Sequence, residues 1–136
     1  MAYQIRWYNR QKTVVLQQYS DDVTKDDLYK MARESADMLK SVSHTVHLII
    51  DERSVDNMLT TTDMQFLEKM VPPNQGAVVV VVAEHKLKYK SIVQGMGNKI
   101  APHAFAKETV FVSSREKAQA YLQQHYAIVF DDVVLK

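Results

Sequence analysis

Two short apolar runs constrain this chain more than anything else in it: Thr45-Val-His-Leu-Ile-Ile-Asp51 and Gly76-Ala-Val-Val-Val-Val-Val-Ala83. A strand with one wet face alternates apolar and polar residues. A continuous β-branched run belongs instead to a strand covered on both faces, as in a parallel α/β sheet. Each run leads into a segment with helical spacing, so the sheet lies in the middle and helices pack on it. Parallel neighbours need crossover connections, and these are right-handed. The first run ends in Asp51 and a polar stretch, and the carboxyl ends of such strands are where α/β sheets place their functional edge.

The flanking segments complete the frame. Tyr3, Ile5 and Trp7 alternate with Gln4, Arg6 and Tyr8, a period-2 strand, and Thr13 to Tyr19 is a second strand after the polar turn Asn9-Arg-Gln-Lys12. The short link makes the pair an antiparallel hairpin. Thr24 and Asp27 have capping-box spacing at the head of a helix whose apolar stripe is Leu28, Met31, Ala32, Ser35, Leu39 and Val42. A second helix is expected over 60–71, stopped by Pro72-Pro73. Asn74-Gln-Gly76 reads as a turn. A third helix is expected over 86–97, a short strand over 109–112, and a fourth helix opened by Ser113 and Glu116. The expected fold is a single α/β domain over residues 1–126. Its central sheet is mixed and mostly parallel, with about five strands in the order ββαβαβα and helices on its flanks. An apolar tail, 127–136, follows.

Composition narrows the function classes. At 136 residues the chain is one domain, large enough to bury a core without staples. Its net charge of +1 provides no field for nucleic acid or an anionic membrane. The absence of cysteine excludes disulfides, thiolate zinc sites and a cysteine nucleophile, and fits a reducing compartment. The first residues do not read as a signal peptide and no run is long enough to span a bilayer, so a cytoplasmic protein is expected.

No catalytic signature is present. Gly95-Met-Gly97 lacks the third glycine and the strand-to-helix context of a dinucleotide loop, and no G-x-S-x-G or phosphate-loop motif occurs. His44 and His47, three apart in a strand register, point to opposite faces and suit no shared metal. No cofactor is therefore expected. Lys86, Lys88 and Lys90, with Tyr89 between them, make a candidate anion site at the start of the third helix, or simply a solvated lysine face. Asp51, Glu52 and Asp56 are carboxylates at a strand end. Acid–base chemistry there would make the chain an enzyme, the third choice among function classes, since no nucleophile or metal set accompanies them. Turn-forming and capping are the simpler roles.

Taken together, Leu48-Ile-Ile-Asp51, Gly76-Ala-Val-Val-Val-Val-Val82 and Val110-Phe-Val-Ser-Ser-Arg-Glu-Lys-Ala-Gln-Ala-Tyr-Leu122 resemble the STAS domain, and more narrowly the SpoIIAA-like proteins, which share a look with CRAL-TRIO lipid-binding domains. The resemblance spans residues 3–124 and is one of fold more than of function. It implies a non-enzymatic regulatory module similar to anti-sigma factor antagonists. In partner-switching STAS proteins the loop after the Asp-ended strand carries Asp-Ser-Ser/Thr-Gly, whose hydroxyl is phosphorylated to release a partner kinase. The corresponding stretch here is Leu59-Thr60-Thr61-Thr62. It keeps hydroxyls at Thr60 and Thr61, the candidate phosphosites, and replaces the flanking Asp and Gly.

The expected partner, a regulator or kinase-like protein, docks on loop 52–59 and the start of helix 60–71, through Asp51, Asp56, Met58, Leu59, Thr60 and Thr61. Met58 and Leu59 are two apolar residues in a polar loop beside capping threonines, a small patch with a switchable rim. The alternative is a small apolar ligand or lipid in a pocket of CRAL-TRIO type, lined by some of the seven methionines and by residues 92–111. For the tail, Ala127-Ile-Val-Phe130 and Val133-Val-Leu135 are too apolar to be left in water. With the sheet finished by Gln124, the expectation is that they add to a neighbour's surface and make a homodimer.

Overall fold

The computed structural model describes residues 3–20, 22–53, 65, 66, 69–87 and 109–130. Five strands form one sheet in sequential order: β1 (Tyr3–Trp7), β2 (Val14–Tyr19), β3 (Val46–Asp51), β4 (Gln75–Val81) and β5 (Thr109–Val112). The hairpin β1–β2 is antiparallel, and β2, β3, β4 and β5 run parallel. Two helices are described, α1 (Lys25–Lys40) and α2 (Arg115–Tyr126). This is the α/β domain with a mixed, mostly parallel sheet that the two apolar runs imply.

Strand alternation divides the core between the two faces. On one face Val15, Val46, Leu48, Val78, Val80 and Val82 pack with Leu39 of α1 and with Ile5 and Trp7 of the hairpin. On the other face Val14, Leu16, Ile49, Ala77, Val79 and Val81 pack with Ala118 and Leu122 of α2. Both faces of β3 and β4 are thus dry, which is why these strands do not alternate in sequence.

Helix α1 starts where its residues specify. The Thr24 hydroxyl accepts from the Asp27 amide at 3.2 Å, and the Asp27 carboxylate accepts from the Thr24 amide at 3.0 Å. This is the reciprocal capping box. At its other end the Asn74 side-chain amide donates to the carbonyls of Leu39 (2.8 Å), Val42 (3.3 Å) and His44 (2.9 Å), occupying acceptors the helix leaves over. Residues 65, 66, 69 and 70 are helical, and the chain leaves the helix at Val71 and Pro72. Phe66 of that segment meets Tyr29 of α1 with ring centroids 4.3 Å apart, which puts both on the same face.

Four expectations need correction. Gln75 and Gly76 are not a turn: they are the first two residues of β4. The helix expected over 86–97 is entered through a 3-10 turn, Glu84–Lys86, after an extended Ala83; Leu87 is its first α-helical residue, and residues 88–97 lie outside the described ones. Helix α2 is capped by Ser114 rather than Ser113, with its hydroxyl accepting from the Lys117 amide at 3.2 Å. Ser113 instead accepts from the Lys117 ammonium at 2.8 Å.

The fourth correction concerns the tail. Ala127 takes a left-handed conformation (φ 54°, ψ 34°), and its amide and that of Ile128 both donate to the Leu122 carbonyl. This turns the chain back over the α2 face. Phe130 is buried there, edge-on to Tyr8 at 5.8 Å, and the Asn9 side chain donates to the Val129 carbonyl at 3.0 Å. The first apolar piece, 127–130, therefore has an intramolecular site, the Tyr8, Val14 and Leu16 corner of the sheet. The homodimer expectation loses that part of its basis, and Val133-Val-Leu135 lies outside the described residues.

Candidate functional site

The parallel strands end together. Gln18, Asp51, Val81 and Val112 are in register across β2 to β5. Asp51 follows Ile49 on the α2 face, and the chain after β5 passes through Ser113 and Ser114 into α2 at Arg115. Register and strand-to-helix spacing thus bring Asp51 and Arg115 together from positions 64 apart in the chain.

Asp51 is 3% exposed, and both of its carboxylate oxygens are occupied. Oδ1 accepts from the Arg53 backbone amide at 3.3 Å and from Arg53 Nε at 2.9 Å. Oδ2 accepts from an Arg53 terminal nitrogen at 2.7 Å and from Arg115 Nε at 3.0 Å. Arg53 is bidentate and folds back two residues onto the strand end, while Arg115 closes the site from α2. Burial by itself raises the Asp51 pKa. The hydrogen bonds from Arg53 and Arg115, with the Arg53 charge, outweigh it, and the carboxyl lies below its ordinary 3.8. The Arg53 guanidinium is held above its usual value, chiefly by its hydrogen bond to Asp51.

A carboxylate in this state is an anchor. Its lone pairs are committed and its proton affinity is lowered, the opposite of what a general base needs. The Arg53 and Arg115 side chains remain 44% and 25% exposed, so the site shows solvent the outer surfaces of two guanidiniums. It ties together the end of β3, the first residues of the following loop and the first turn of α2.

Of the residues expected to meet a partner, Asp51 is buried and holds Arg53 and Arg115. Asp56, Met58, Leu59, Thr60 and Thr61 lie outside the described residues. Among the lysines of the candidate anion site, Lys86 is half-buried at the end of the 3-10 turn, one residue before the helical Leu87. Lys88 and Lys90 lie outside the described residues. The described histidines are dispersed, and His103 lies outside the described residues. His44 Nε2 lies 2.8 Å from the Lys12 carbonyl, His47 is buried under α2, His85 is exposed in the 3-10 turn and His125 stacks on Tyr121. Among the described residues no three His, Cys, Asp or Glu side chains are grouped to hold a metal, and no helix is long and apolar enough to cross a membrane.

Sequence reasoning missed both arginines. Arg53 carried a weak signal, since an Asp-x-Arg pair at a strand end suits a carboxylate that folds its own loop back. Arg115 carried none apart from standing first in a helix after a strand. Comparison with protein-family models, with characterised proteins and with solved structures gives no match for this chain.

Proposed function

We propose that this protein is a non-enzymatic interaction module of STAS, SpoIIAA-like character, whose protein partner docks on loop 52–59 and the residues that open helix 60–71. The observation that carries the reading is the Asp51 anchor. Among the described residues it is the one buried carboxylate, and it is committed to fixing the root of that loop rather than left free for chemistry. A docking loop benefits from such a root, because a preorganised surface loses less entropy on association.

In this reading Met58 and Leu59 form the apolar centre of the contact. With helix 60–71 opening as its sequence suggests, a phosphate on Thr60 or Thr61 would meet a helix N-terminus and place charge on the rim of the interface. The test is affinity capture from the source cell, with the wild type, Leu59→Asp, and the pair Thr60→Glu and Thr61→Glu as baits. A partner that the wild type retains and both variants release by about tenfold or more, close to 1.4 kcal/mol, supports the proposal. No retained protein, or retention equal on all three baits, refutes it.

A further inference from the structure

The ring of His47 sits at an irregularity in the parallel ladder. Val46 pairs with Gln75 and Leu48 with Val78, so β4 carries one more residue than β3 across this step. Within the bulge the Ala77 amide turns to a side chain and donates to His47 Nδ1 at 2.9 Å. Gly76 makes room for the ring: a Cβ there would lie 2.5 Å from Nδ1 and 2.6 Å from Cε1. The ring also meets Tyr126, the last residue of α2, with centroids 4.5 Å apart.

Among the described residues, those placed around the ring carry no compensating charge. Strand β2 sets Val14 beside it, and β4 sets Gly76 and Ala77. From α2 come Tyr126 and, behind it, Tyr121, which stacks on His125. None of these is a carboxylate. His47 is 6% exposed, and burial pushes its pKa below the ordinary 6.5.

The hydrogen bond assigns the tautomer. Nδ1 accepts from Ala77, so the ring's proton is on Nε2. A second proton would have to occupy Nδ1, where it would face the Ala77 N–H, donor against donor. The imidazolium therefore cannot keep this bond, and leaving it also separates the ring from Tyr126. We propose that His47 is an acid-released latch. Its protonation opens the β3–β4 bulge and frees the last turn of α2 together with residues 127–130, which that turn feeds into the Tyr8 corner.

Linkage gives the sign and the size. The folded-state pKa is depressed for a basic group, so the latch is intact above 6.5 and weakens as pH falls below it. If the latched ring stays neutral while the released ring titrates at 6.5, opening rises by up to about tenfold between about pH 7.5 and about pH 5.5. Hydrogen exchange of the full chain, corrected for the intrinsic rate at each pH, reads this directly.

Peptides covering 76–82 and 121–130 should lose protection several-fold, while peptides from α1 hold theirs. His47→Gln, which keeps an acceptor and cannot titrate, should remove the pH response to within about twofold. The proposal is overturned by a wild-type change under about twofold, by a response unaltered in His47→Gln, or by loss from α1 in parallel. Should His47→Gln fail to fold, an NMR titration of the wild type decides. The Ala77 amide resonance must then follow the His47 ring, and an amide that stays fixed while the ring titrates rejects the latch.

Discussion

Asp51→Asn should destabilise the protein by an amount that itself depends on pH. In the wild type Oδ2 accepts from Arg53 at 2.7 Å and from Arg115 at 3.0 Å, while Oδ1 accepts twice from Arg53. Asparagine retains one oxygen and turns an N–H₂ donor toward guanidinium donors, so the two Oδ2 bonds are lost. A hydrogen bond to a charged group contributes about 1.5–3 kcal/mol. Here the Arg53 and Arg115 side chains are 44% and 25% exposed and regain water when released, which lowers the figure to about 1 kcal/mol for each bond. The expected loss is about 2 kcal/mol near neutral pH, a large share of the ~5–15 kcal/mol of an ordinary domain. Because the folded-state pKa of Asp51 is depressed, its stabilisation is present above 3.8 and is lost as pH falls through the folded-state value. Urea unfolding of both proteins from neutral to acid pH gives the comparison. The two stabilities should differ fully near neutrality and converge in acid. A neutral-pH loss under about 0.5 kcal/mol, or a difference that persists unchanged in acid, would refute the anchor.

Further outcomes are expected at two places. Gly76→Ala pushes a methyl group against the His47 ring and should cost about 1–3 kcal/mol from overpacking alone; His47→Ala in the same chain should recover at least about 1 kcal/mol, and additive losses in a double-mutant cycle would contradict the contact. In the C-terminal strap, Ala127→Gly should gain about 0.5 kcal/mol, because relief of the left-handed alanine exceeds the entropy glycine adds to the unfolded chain, while Phe130→Ala should cost about 3 kcal/mol; equal stability of Phe130→Ala and wild type would mean the ring is not in the core.

Element type was legible wherever it depends on neighbours in sequence. The runs 45–51 and 76–83 became β3 and β4 because β-branched residues without alternation suit only a strand covered twice. The Thr24–Asp27 box is local chemistry and stands where its residues put it. Failures came where a distant group decides. Gly76 reads as punctuation, yet it is a strand residue whose missing side chain is the space His47 occupies. Residues 127–130 read as surplus after a finished sheet. They fit because the left-handed Ala127 turns the chain back so that Phe130 meets Tyr8, a matter of helix length and direction that periodicity does not carry.

The candidate site divides in the same way. Asp51 at the end of a buried strand could be picked out from pattern alone, since parallel sheets expose their carboxyl ends. That its charge would be answered by Arg53 and Arg115, and that it would serve as an anchor, required the register of β3 to β5 and the start of α2 to be known together. Local sequence thus determined which segments are strands and helices and which residue closes β3. The tertiary structure alone decided which charges meet there and what Gly76 makes room for. Hydrophobic periodicity specifies which face of an element is buried; it carries no record of which element will cover that face.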